Sequence, residues 1–444
     1  MTVPEKASPV DRLRLRLWCL AEPVVWNSRM LEKAAKNPQE KWHSLIDKVY
    51  KLENLLAAFA AVKRNDGAPG IDQIDVERYE QNLLHNLQNL SSEIREGSYK
   101  PQPLRRVLID KTPGGKEKRP LGIPCVRDRV AQKAVVNVIE PIFDAQFSPR
   151  SYGFRFRMGC KDALREVESE LRTGKTMVVD ADLKSYFDTI PKDRLMARVE
   201  QRISDSAMLK LIRGFLDQGV MEDGKYWEPE AGTPQGGVIS PLLANLYLDP
   251  LDKLMEEAGV SMIRYADDFV LMCRNRDEAD KALATVRTWC EAEGLTLHPD
   301  KTKLVDMSVY QGRFDFLGYS FYRSPKRFSR LIRDKSLDKI TAKLRKLTPR
   351  NSGSCMRVIV QKLNRTLRGF YNYFKHASLT GCLRPIDEHL RMRLRRILHK
   401  RATRKGCCVQ ADNSRWENAY FDDLGLFSLE QAKCCELQSL RGKR

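Results

Sequence analysis

Long apolar runs are missing from this 444-residue sequence. A helix that crosses a bilayer needs roughly 18 or more consecutive apolar residues, and no stretch of the chain offers them. The first residues, MTVPEKASPVDRLRLRLWCLAEPVVW, place charges among their apolar positions, so no apolar signal core precedes a small-residue cleavage site. The sequence therefore argues against membrane-spanning and exported proteins, and we expect a cytoplasmic location.

The eleven cysteines show neither the spacing of a disulfide framework nor that of a zinc site. Cys407 and Cys408 are adjacent, as are Cys434 and Cys435, and neither pair has the C-x2-C spacing that zinc sites favour. No histidine follows His399 to complete a metal site near them. We therefore expect reduced cysteines, most of them in the core.

Acidic residues are scarce relative to basic ones, because 58 Asp and Glu accompany 78 Lys and Arg and the formal net charge is +20 at pH 7. The imbalance is greatest from residue 341 to residue 406, where 18 basic residues accompany only Asp387 and Glu388, a local net charge of +16. Since no segment spans a membrane, a nucleic acid is the expected polyanionic partner. A solvated helical bundle that is merely basic is the alternative for this stretch.

Apolar periodicity and turn-forming residues divide the chain into segments. Residues 1–60 show the three-and-four spacing of helices, as in WHSLIDKVYKLENLLAAFAAVKR. RRVLIDKTPGGKEKRPLGIP predicts two short strands joined by a Pro-Gly-Gly turn, and residues 126–147 predict a helix with one apolar stripe. After residue 335 the composition becomes basic and helical, and a short tail follows residue 406.

Three further segments place polar residues at the ends of apolar elements. MVVDADL predicts a buried strand, and SYFDTIPKDRLMARVEQRI predicts one helix after it. TPQGGVISPLLANLYLDPLDKLM predicts a loop that enters a long helix, with Thr233 or Ser240 as its N-cap and Pro241 in its first turn. SMIRYADDFVLMC predicts two apolar strands that meet at residues 266–268.

The acidic residues in these segments suit nucleotidyl transfer. Joining a nucleotide to a primer end requires activation of the 3′ oxygen and neutralisation of the leaving pyrophosphate, which two metal ions about 3.5–4 Å apart achieve together. Magnesium ions prefer oxygen ligands, so aspartates on a strand and on a neighbouring hairpin are the expected residues. Asp180 and Asp182 lie on the same face of the MVVDADL strand, so alternation alone does not decide between them. A solvated strand end is the simpler interpretation of either acid taken singly.

Several short motifs carry a family likeness. Residues 265–268 form the YADD box of reverse transcriptases, and DLKSYFD, residues 182–188, resembles their first catalytic motif. The likeness covers roughly residues 60–375 through segments that occur in the family order: VKRNDGAPGID, KRPLGIP, SPRSYGFRFRMG, DADLKSYFDTIP, GTPQGGVISPLLANLYLDPLD, RYADDFVLM, LHPDKTKLV and FLGY. The chain thus resembles bacterial group II intron-encoded reverse transcriptases, a conclusion that a lone YADD tetrapeptide would not support.

This resemblance implies an α/β right-hand polymerase, with fingers and palm built on a mixed sheet, followed by an all-α thumb and maturase domain. The implied segments are an N-terminal basic helical segment at 1–60, fingers and palm at 61–335, the thumb and maturase domain at 336–406, and a tail at 407–444. The tail has neither histidines nor C-x2-C pairs. The endonuclease domain of many relatives is therefore expected to be absent, as in class C members, which insert with a pre-existing primer.

The resemblance also assigns the catalytic residues. It implies that Asp182 and Asp267 bind two Mg²⁺ ions directly, while Asp268 supports the metal site. It selects Asp182 over Asp180 because the family's metal-binding acid is followed by L-K-x-aromatic-F-D, as Asp182 is. Lys301 in HPDKT resembles the lysine that protonates the pyrophosphate leaving group.

Four residues are assigned to the incoming nucleotide by the same resemblance. Lys111 and Arg119 match the basic positions of the fingers hairpin that hold the triphosphate. Phe187 matches the aromatic steric gate that excludes a 2′-hydroxyl, although a plain core role is the alternative. Gln235 resembles a residue that touches the nucleotide, and the glycine pair after it would allow close approach of the template backbone.

The implied partners are group II intron RNA, an RNA template with a DNA primer, deoxynucleoside triphosphates and a DNA target. In the basic region, the residues predicted to contact RNA are Arg368, Arg393, Arg395 and Arg396. The aromatic residues of LRGFYNYF include candidates for stacking on bases, but packing in the core is expected for most of them. Two rival functions stay open: a splicing-only maturase, and a domesticated reverse transcriptase that serves repair or phage defence.

Overall fold

The computed structural model describes residues 25–110, 118–156, 158–222, 224–325, 327–378, 381–402 and 411–441. Within these ranges the chain forms two compact units, the first of residues 25–109 and 118–304 and the second of Asp110 and residues 305–441. Lys111 and the pair Cys407 and Cys408 lie outside the described ranges. Among the residues that are described, no helix combines the length and apolar character needed to cross a membrane.

Helices alternate with short strands along the first unit. The described part begins with the helices α1 (Val25–Lys36), α2 (Ile46–Val49), α3 (Leu52–Asn65), α4 (Val76–Gln81) and α5 (Leu83–Glu96). Next in the chain are β1 (Leu104–Asp110), β2 (Lys118–Ile123), α6 (Val126–Asp144), α7 (Cys160–Arg172), β3 (Met177–Asp182), α8 (Tyr186–Thr189), α9 (Lys192–Glu200) and α10 (Ser206–Leu216). These are followed by β4 (Val220–Glu222), β5 (Lys225–Trp227), α11 (Ser240–Glu257), β6 (Ser261–Tyr265), β7 (Asp268–Cys273), α12 (Arg276–Ala292) and β8 (Lys303–Asp306).

Two four-stranded sheets occur in this part of the chain. One has the strand order β2-β1-β4-β5, in which β1 and β4 are parallel and β4 and β5 are antiparallel. The other has the order β6-β7-β3-β8, in which β7 pairs antiparallel with both β6 and β3. Alternate residues of β3 and β7, such as Val179 and Phe269, belong to the hydrophobic core, so the opposite face is left for the acidic residues. The predicted α/β class with a mixed sheet is confirmed.

Most elements predicted for the first unit are present, with one difference after β3. The helix α6 buries its predicted apolar stripe of Ala131, Ala134, Val135 and Val138. The single helix predicted after β3 was wrong, because the segment forms two helices, α8 and α9, separated at Ile190 and Pro191. A residue before proline disfavours the helical region, and Ile190 accordingly has φ −59° and ψ 120°.

The start of α11 also differs from its prediction. The proline lies in the first turn as predicted, but no side chain caps the helix, so the N-cap role of Thr233 or Ser240 was wrong. Ser240 Oγ instead donates to the carbonyl of Pro234 (2.8 Å). Gln132 Oε1, from α6, accepts a hydrogen bond from the Val238 N–H (2.6 Å). A side chain from a neighbouring helix thus satisfies a backbone donor just before α11.

The second unit combines a small sheet with helices. Its strands are β9 (Arg313–Phe316), β10 (Tyr319–Arg323) and β11 (Phe328–Ile332), in the antiparallel order β11-β10-β9, and they were not predicted from the sequence. Its described helices are α13 (Asp334–Leu347), α14 (Met356–Phe374), α15 (Leu383–Arg401), α16 (Ala411–Arg415), α17 (Asn418–Asp423) and α18 (Leu429–Arg441). The predicted helical character of the C-terminal region is therefore confirmed, while the predicted boundaries at residues 60, 335 and 406 stay predictions.

The aromatic residues of LRGFYNYF pack within the second unit. The Phe374 ring lies 5.1 Å from the Tyr319 ring and 4.7 Å from the Phe370 ring. Tyr373 Oη donates to the carbonyl of Leu317 (2.9 Å). These contacts agree with the packing role expected for most of this group.

The described cysteines are all free thiols. Cys125, Cys273 and Cys290 are buried, and burial raises the pKa of Cys273 and Cys290 to about 12. Cys434 and Cys435 are exposed, so a core role holds for only part of the set.

Candidate active site

Three aspartates meet where β3 ends and the β6–β7 hairpin turns. Asp182, the last residue of β3, is the antiparallel partner of Asp268, the first residue of β7. Tyr265 also pairs with Asp268, so Ala266 and Asp267 are the two residues of the hairpin turn. Directly opposed residues of an antiparallel pair have Cα atoms about 4.5–5.5 Å apart. The strand register therefore brings the predicted acids together.

The same register distinguishes Asp182 from Asp180. Asp180 pairs with Val270, two positions before the end of the strand, whereas Asp182 pairs with Asp268. Both acids face the same side of the sheet. Asp182 is thus the acid of β3 that lies next to the hairpin turn.

Burial and like charge act together on Asp267. Its pKa is raised, first by burial and also by the negative charge of Asp182, while its own backbone N–H, Arg119 and Lys301 lower it. Two carboxylates so close disfavour each other's ionised form unless a cation balances them. The turn is therefore a place where a cation would be stabilised.

Backbone pairing brings Lys301 to these acids. The His298 N–H donates to the carbonyl of Asp182 (2.8 Å), and the Lys184 N–H donates to the carbonyl of Thr296 (2.8 Å). Lys301 Nζ lies 2.5 Å from Asp182 Oδ2, and its side chain is 58% exposed. Lys301 thus contacts Asp182 and is also open to solvent. Its ammonium group can therefore exchange the Asp182 carboxylate for another partner when a ligand enters the site.

The carboxylates fit magnesium in number and in chemistry. Mg²⁺ bound with substrate phosphates commonly takes one or two carboxylates and keeps several waters. Across the described ranges, no group of three or more His, Cys, Asp or Glu side chains is arranged to hold a metal ion, so the site offers at most two carboxylates to one ion. Asp182 and Asp267, at an open strand end, fit an ion whose shell is completed by substrate.

The TPQGG loop contacts the segment that follows β3. Gln235 Nε2 donates to Asp188 Oδ2 (2.7 Å), and the Thr233 N–H donates to the carbonyl of Phe187 (2.7 Å). Phe187 is half-buried, lies 5.6 Å from the Tyr186 ring and packs against the core. These hydrogen bonds hold the loop that carries Gln235 against the segment that carries Phe187. The Phe187 side chain also packs against the hydrophobic core.

Arg119 faces the same region from β2. Burial raises the pKa of Asp188, whereas the hydrogen bond from Gln235 and the charges of Arg106 and Arg119 lower it. Arg119 also lowers the pKa of Asp267, so its positive charge acts on both segments of the site. Its predicted companion Lys111 lies outside the described residues.

Gly236 makes a close backbone contact within the protein. It has φ +111°, and a Cβ there would lie closer than 3.0 Å to the carbonyl oxygen of Gly122 in β2. The Gly122 N–H also donates to the carbonyl of Gln235 (2.7 Å). The close approach that requires glycine at this position is made by β2 within the protein. The approach of a template backbone to the glycine pair stays a prediction.

The four arginines predicted to contact RNA have different environments. Arg368 and Arg396 are exposed. Arg393 donates to Oγ1 (2.6 Å) and to the carbonyl (2.7 Å) of Thr348. Arg395 is 9% exposed and donates to the Trp416 carbonyl (2.8 Å) and Asn418 Oδ1 (2.9 Å). Arg393 and Arg395 therefore use donors within the protein, which leaves Arg368 and Arg396 as the better candidates for RNA contact.

A buried cation beside the hairpin turn was not predicted. Arg264, in β6, has no exposed surface and forms an ion pair with Asp252 of α11. The sequence contains a signal for this ion pair, because an arginine inside the apolar segment SMIRY requires a buried acidic partner. Periodicity identifies such a residue but does not reveal which distant acid pairs with it.

Two family matches span the site and the basic region. Residues 109–321 match the family described as reverse transcriptase (RNA-dependent DNA polymerase), and residues 337–416 match the group II intron, maturase-specific domain. Protein YkfC of Escherichia coli (strain K12) is 32% identical over 342 residues, which are 67% of this chain and 88% of YkfC.

Two further similarities cover smaller parts of the proteins compared. The group II intron-encoded protein LtrA of Lactococcus lactis subsp. cremoris is 34% identical over 232 residues, which are 51% of this chain and 38% of LtrA. The chain therefore spans less than half the length of LtrA. A chain of a partial Cas6-RT-Cas1–Cas2 complex matches with a TM-score of 0.37 and 25% identity, covering 56% of this chain and 43% of that one.

Proposed function

The chain belongs to the reverse transcriptase family and carries a group II intron maturase-specific domain, and from this premise we propose that it copies group II intron RNA into DNA and assists the splicing of that intron. The observation that carries the proposal is the register that sets Asp182 opposite Asp268, with Asp267 in the adjoining turn. Nucleic acids are the partners that both matched domains imply, and reverse transcriptases act with divalent metal ions.

Asp182 and Asp267 would hold two Mg²⁺ ions, with Asp268 as a supporting acid. Such ions, when bound, favour ionisation of the primer 3′ hydroxyl and balance the charge of the phosphates. Lys301 Nζ donates to Asp182 Oδ2 (2.5 Å), which places the ammonium group beside the reacting end of the site, where it would exchange this partner for the pyrophosphate. Its role is donation of a proton to the leaving pyrophosphate.

The remaining residues bind and select the nucleotide. Arg119 and Lys111 would bind the triphosphate, because a guanidinium offers paired donors to phosphate oxygens. Gln235 would contact the incoming nucleotide, and its hydrogen bond to Asp188 fixes its amide. Phe187 would lie beneath the sugar, where its ring collides with a 2′-hydroxyl and favours deoxynucleotides.

Intron RNA would bind the basic helices of the second unit. Exposed arginines on α14 and α15, including Arg368 and Arg396, contribute to the excess of positive charge between residues 341 and 406. Phosphate neutralisation by such residues makes binding strongly dependent on salt. The copied intron would then be inserted into a DNA target.

The polymerase proposal is tested by extension of a DNA primer on an RNA template in the presence of Mg²⁺. The variant Asp182→Asn should lose synthesis, since an amide keeps the shape of the side chain but removes its charge. Asp193→Asn is the matched control, because Asp193 lies in α9 with its side chain 90% exposed. Equal synthesis by both variants would contradict the assignment of the metal site.

The maturase proposal is tested by splicing of a precursor RNA that contains the intron. Asp182→Asn should still accelerate splicing, since the change lies outside the basic helices of the second unit. Arg368→Ala combined with Arg396→Ala should weaken the acceleration and leave primer extension on a simple template intact. No acceleration by the native protein would restrict the function to copying.

A further inference from the structure

The turn that carries Asp267 holds a strained backbone. Ala266 is the first residue of the two-residue turn between β6 and β7 and has φ +60°. Two-residue hairpin turns favour glycine where φ is positive, and an alanine there is held in a sparsely populated region. Such strain persists only where the surrounding structure over-determines the conformation. The contacts around Ala266 should therefore include interactions that hold its backbone at positive φ.

Arg264 contacts the turn from inside the protein. Its Nη1 donates to the carbonyl of Ala266 (3.1 Å) and to Asn245 Oδ1 (2.9 Å). Its Nε donates to both carboxylate oxygens of Asp252, at 2.8 and 3.1 Å. Two residues of α11, Asn245 and Asp252, thus fix the position of the guanidinium. One of its N–H groups donates to the carbonyl of the strained residue, Ala266.

The loop at residues 150–153 holds the other side of the turn. Backbone hydrogen bonds join the Tyr152 N–H to the Arg264 carbonyl (2.8 Å) and the Arg264 N–H to the Arg150 carbonyl (3.0 Å). A Cβ on Gly153 would lie 3.0 Å from the carbonyl carbon of Tyr265 and 3.2 Å from Ala266 Cα, so the loop backbone rests directly on the turn.

Asn245 joins the two sides. Its Nδ2 donates to the carbonyl of Gly153 (2.7 Å), while its Oδ1 accepts from Arg264. Asn245 is 1% exposed, so both bonds form away from solvent. A single buried amide therefore connects the loop that presses on Ala266 with the arginine that holds the Ala266 carbonyl.

We propose that Arg264, Asn245 and Asp252 form a turn clamp, a set of positioning residues that keep Ala266 at positive φ and so fix the carboxylate of Asp267 for metal binding. The inference rests on the proposed function, because it concerns the same acids. It adds three residues of the protein interior that touch neither metal nor nucleotide. Without the clamp, the turn relaxes toward an ordinary alanine conformation, and Asp267 leaves the end of the sheet.

A purely structural role is the competing explanation. A buried ion pair and its hydrogen bonds are costly to disrupt wherever they occur, and their loss lowers stability. Such a role would affect unfolding without any special relation to residue 266. The two explanations therefore differ in whether the clamp and Ala266 are energetically coupled.

The test is a double-mutant cycle in the full chain, with Asn245→Ala, Ala266→Gly and the combination. Glycine adopts positive φ without strain, so Ala266→Gly should make the clamp less necessary. Mn²⁺ binding, followed by the electron paramagnetic resonance signal of free Mn²⁺, reports on the acids without requiring catalysis. Primer extension and the Tm of each variant are measured on the same preparations.

Asn245→Ala should weaken Mn²⁺ binding by about tenfold or more when Ala266 is present. The loss should be much smaller when Asn245→Ala is combined with Ala266→Gly. A coupling of this size is within the range found for residues of one hydrogen-bond network. Asn54→Ala is the matched control, since Asn54 is 3% exposed and donates to the carbonyls of Val49 and Ala134, away from the turn. It should lower Tm and leave Mn²⁺ binding unchanged. Equal losses in both backgrounds, or a response of Asn245→Ala that matches the control, would overturn the proposal.

Arg264→Lys provides a second variant if Asn245→Ala does not fold. Lysine keeps a positive charge beside Asp252, but it cannot reach Asn245 and the Ala266 carbonyl together. It should weaken Mn²⁺ binding, and Ala266→Gly should restore part of the loss; no restoration would contradict the clamp. Failure of the native protein to bind Mn²⁺ and to extend a primer would instead refute the proposed function itself, and the clamp with it.

Discussion

Gly153→Ala is predicted to impair the acidic site through a direct backbone collision. The new Cβ would lie closer than 3.0 Å to the Ala266 nitrogen and 3.0 Å from the Tyr265 carbonyl carbon. Carbon atoms in favourable contact are about 3.5–4.0 Å apart. The loop and the turn must therefore separate by roughly 1 Å, and Asp267 adjoins the displaced residue.

The expected loss follows from that displacement. A misplacement of about 1 Å at reacting groups costs about 10²-fold in rate, and overpacking costs about 1–3 kcal/mol of stability. We therefore expect the rate of primer extension at saturating nucleotide to fall by about two orders of magnitude, with a lower Tm. Single-turnover extension on an RNA template measures the first quantity, and thermal unfolding measures the second.

Gly214→Ala is the control for adding a methyl group in the same unit. Gly214 lies inside α10, and its new Cβ would meet only Pro101 Cδ, at an ordinary 3.9 Å. Replacing a helical glycine by alanine should stabilise the protein by about 0.5–1 kcal/mol and leave extension unchanged. A rate for Gly153→Ala within about twofold of the Gly214→Ala rate would refute the packing argument, since it is far from the 10²-fold loss expected of a misplaced turn.

Three further predictions concern stability, RNA and substrate choice. Burial raises the pKa of Asp128 to about 6, so the folded state binds this proton more tightly than the unfolded state, and the contribution to stability is lost as pH rises from about 4 through 6. The Tm of Asp128→Asn should therefore rise relative to the native Tm over that range; a constant difference would contradict the shift. Arg396→Ala should weaken RNA binding and reduce the salt slope by about 1, whereas Arg395→Ala should mainly lower Tm, as binding isotherms and melting curves would reveal. Phe187→Val should increase ribonucleotide incorporation relative to deoxynucleotide incorporation in single-nucleotide extension, and an unchanged ratio would assign Phe187 to the core alone.

The β6–β7 hairpin could be predicted because its parts are local in sequence: apolar strands flank a two-residue turn, and the turn sets Tyr265 opposite Asp268. The pairing of Asp182 with Asp268 joins β3 to β7 across 86 residues, so periodicity alone could not predict it, and the family likeness was needed to bring the two acids together. The choice of Asp182 over Asp180 needed the family likeness, since both lie on one face of β3. The register supplies a physical reason for that choice.

The parts that were missed depend on partners distant in sequence. Arg395 follows the helical spacing of an exposed basic residue, yet its donors are taken by Trp416 and Asn418. Gln132 takes over the role expected of an N-cap before α11. Pro191 was a local signal for the break between α8 and α9, and it was outweighed by the apolar periodicity on both sides. Periodicity predicts which residues form an element, but it does not predict which side chain from elsewhere satisfies its polar groups.

The central claim is that one group of aspartates supports DNA synthesis while RNA binding resides elsewhere in the chain. Primer extension on poly(A) with an oligo(dT) primer, dTTP and Mg²⁺ should be compared between the native protein and the variant with both Asp267→Ala and Asp268→Ala. Intron RNA binding should be measured on the same two preparations. We predict synthesis by the native protein alone, with equal RNA affinity; synthesis by the variant, or none by a folded native protein, would contradict the account.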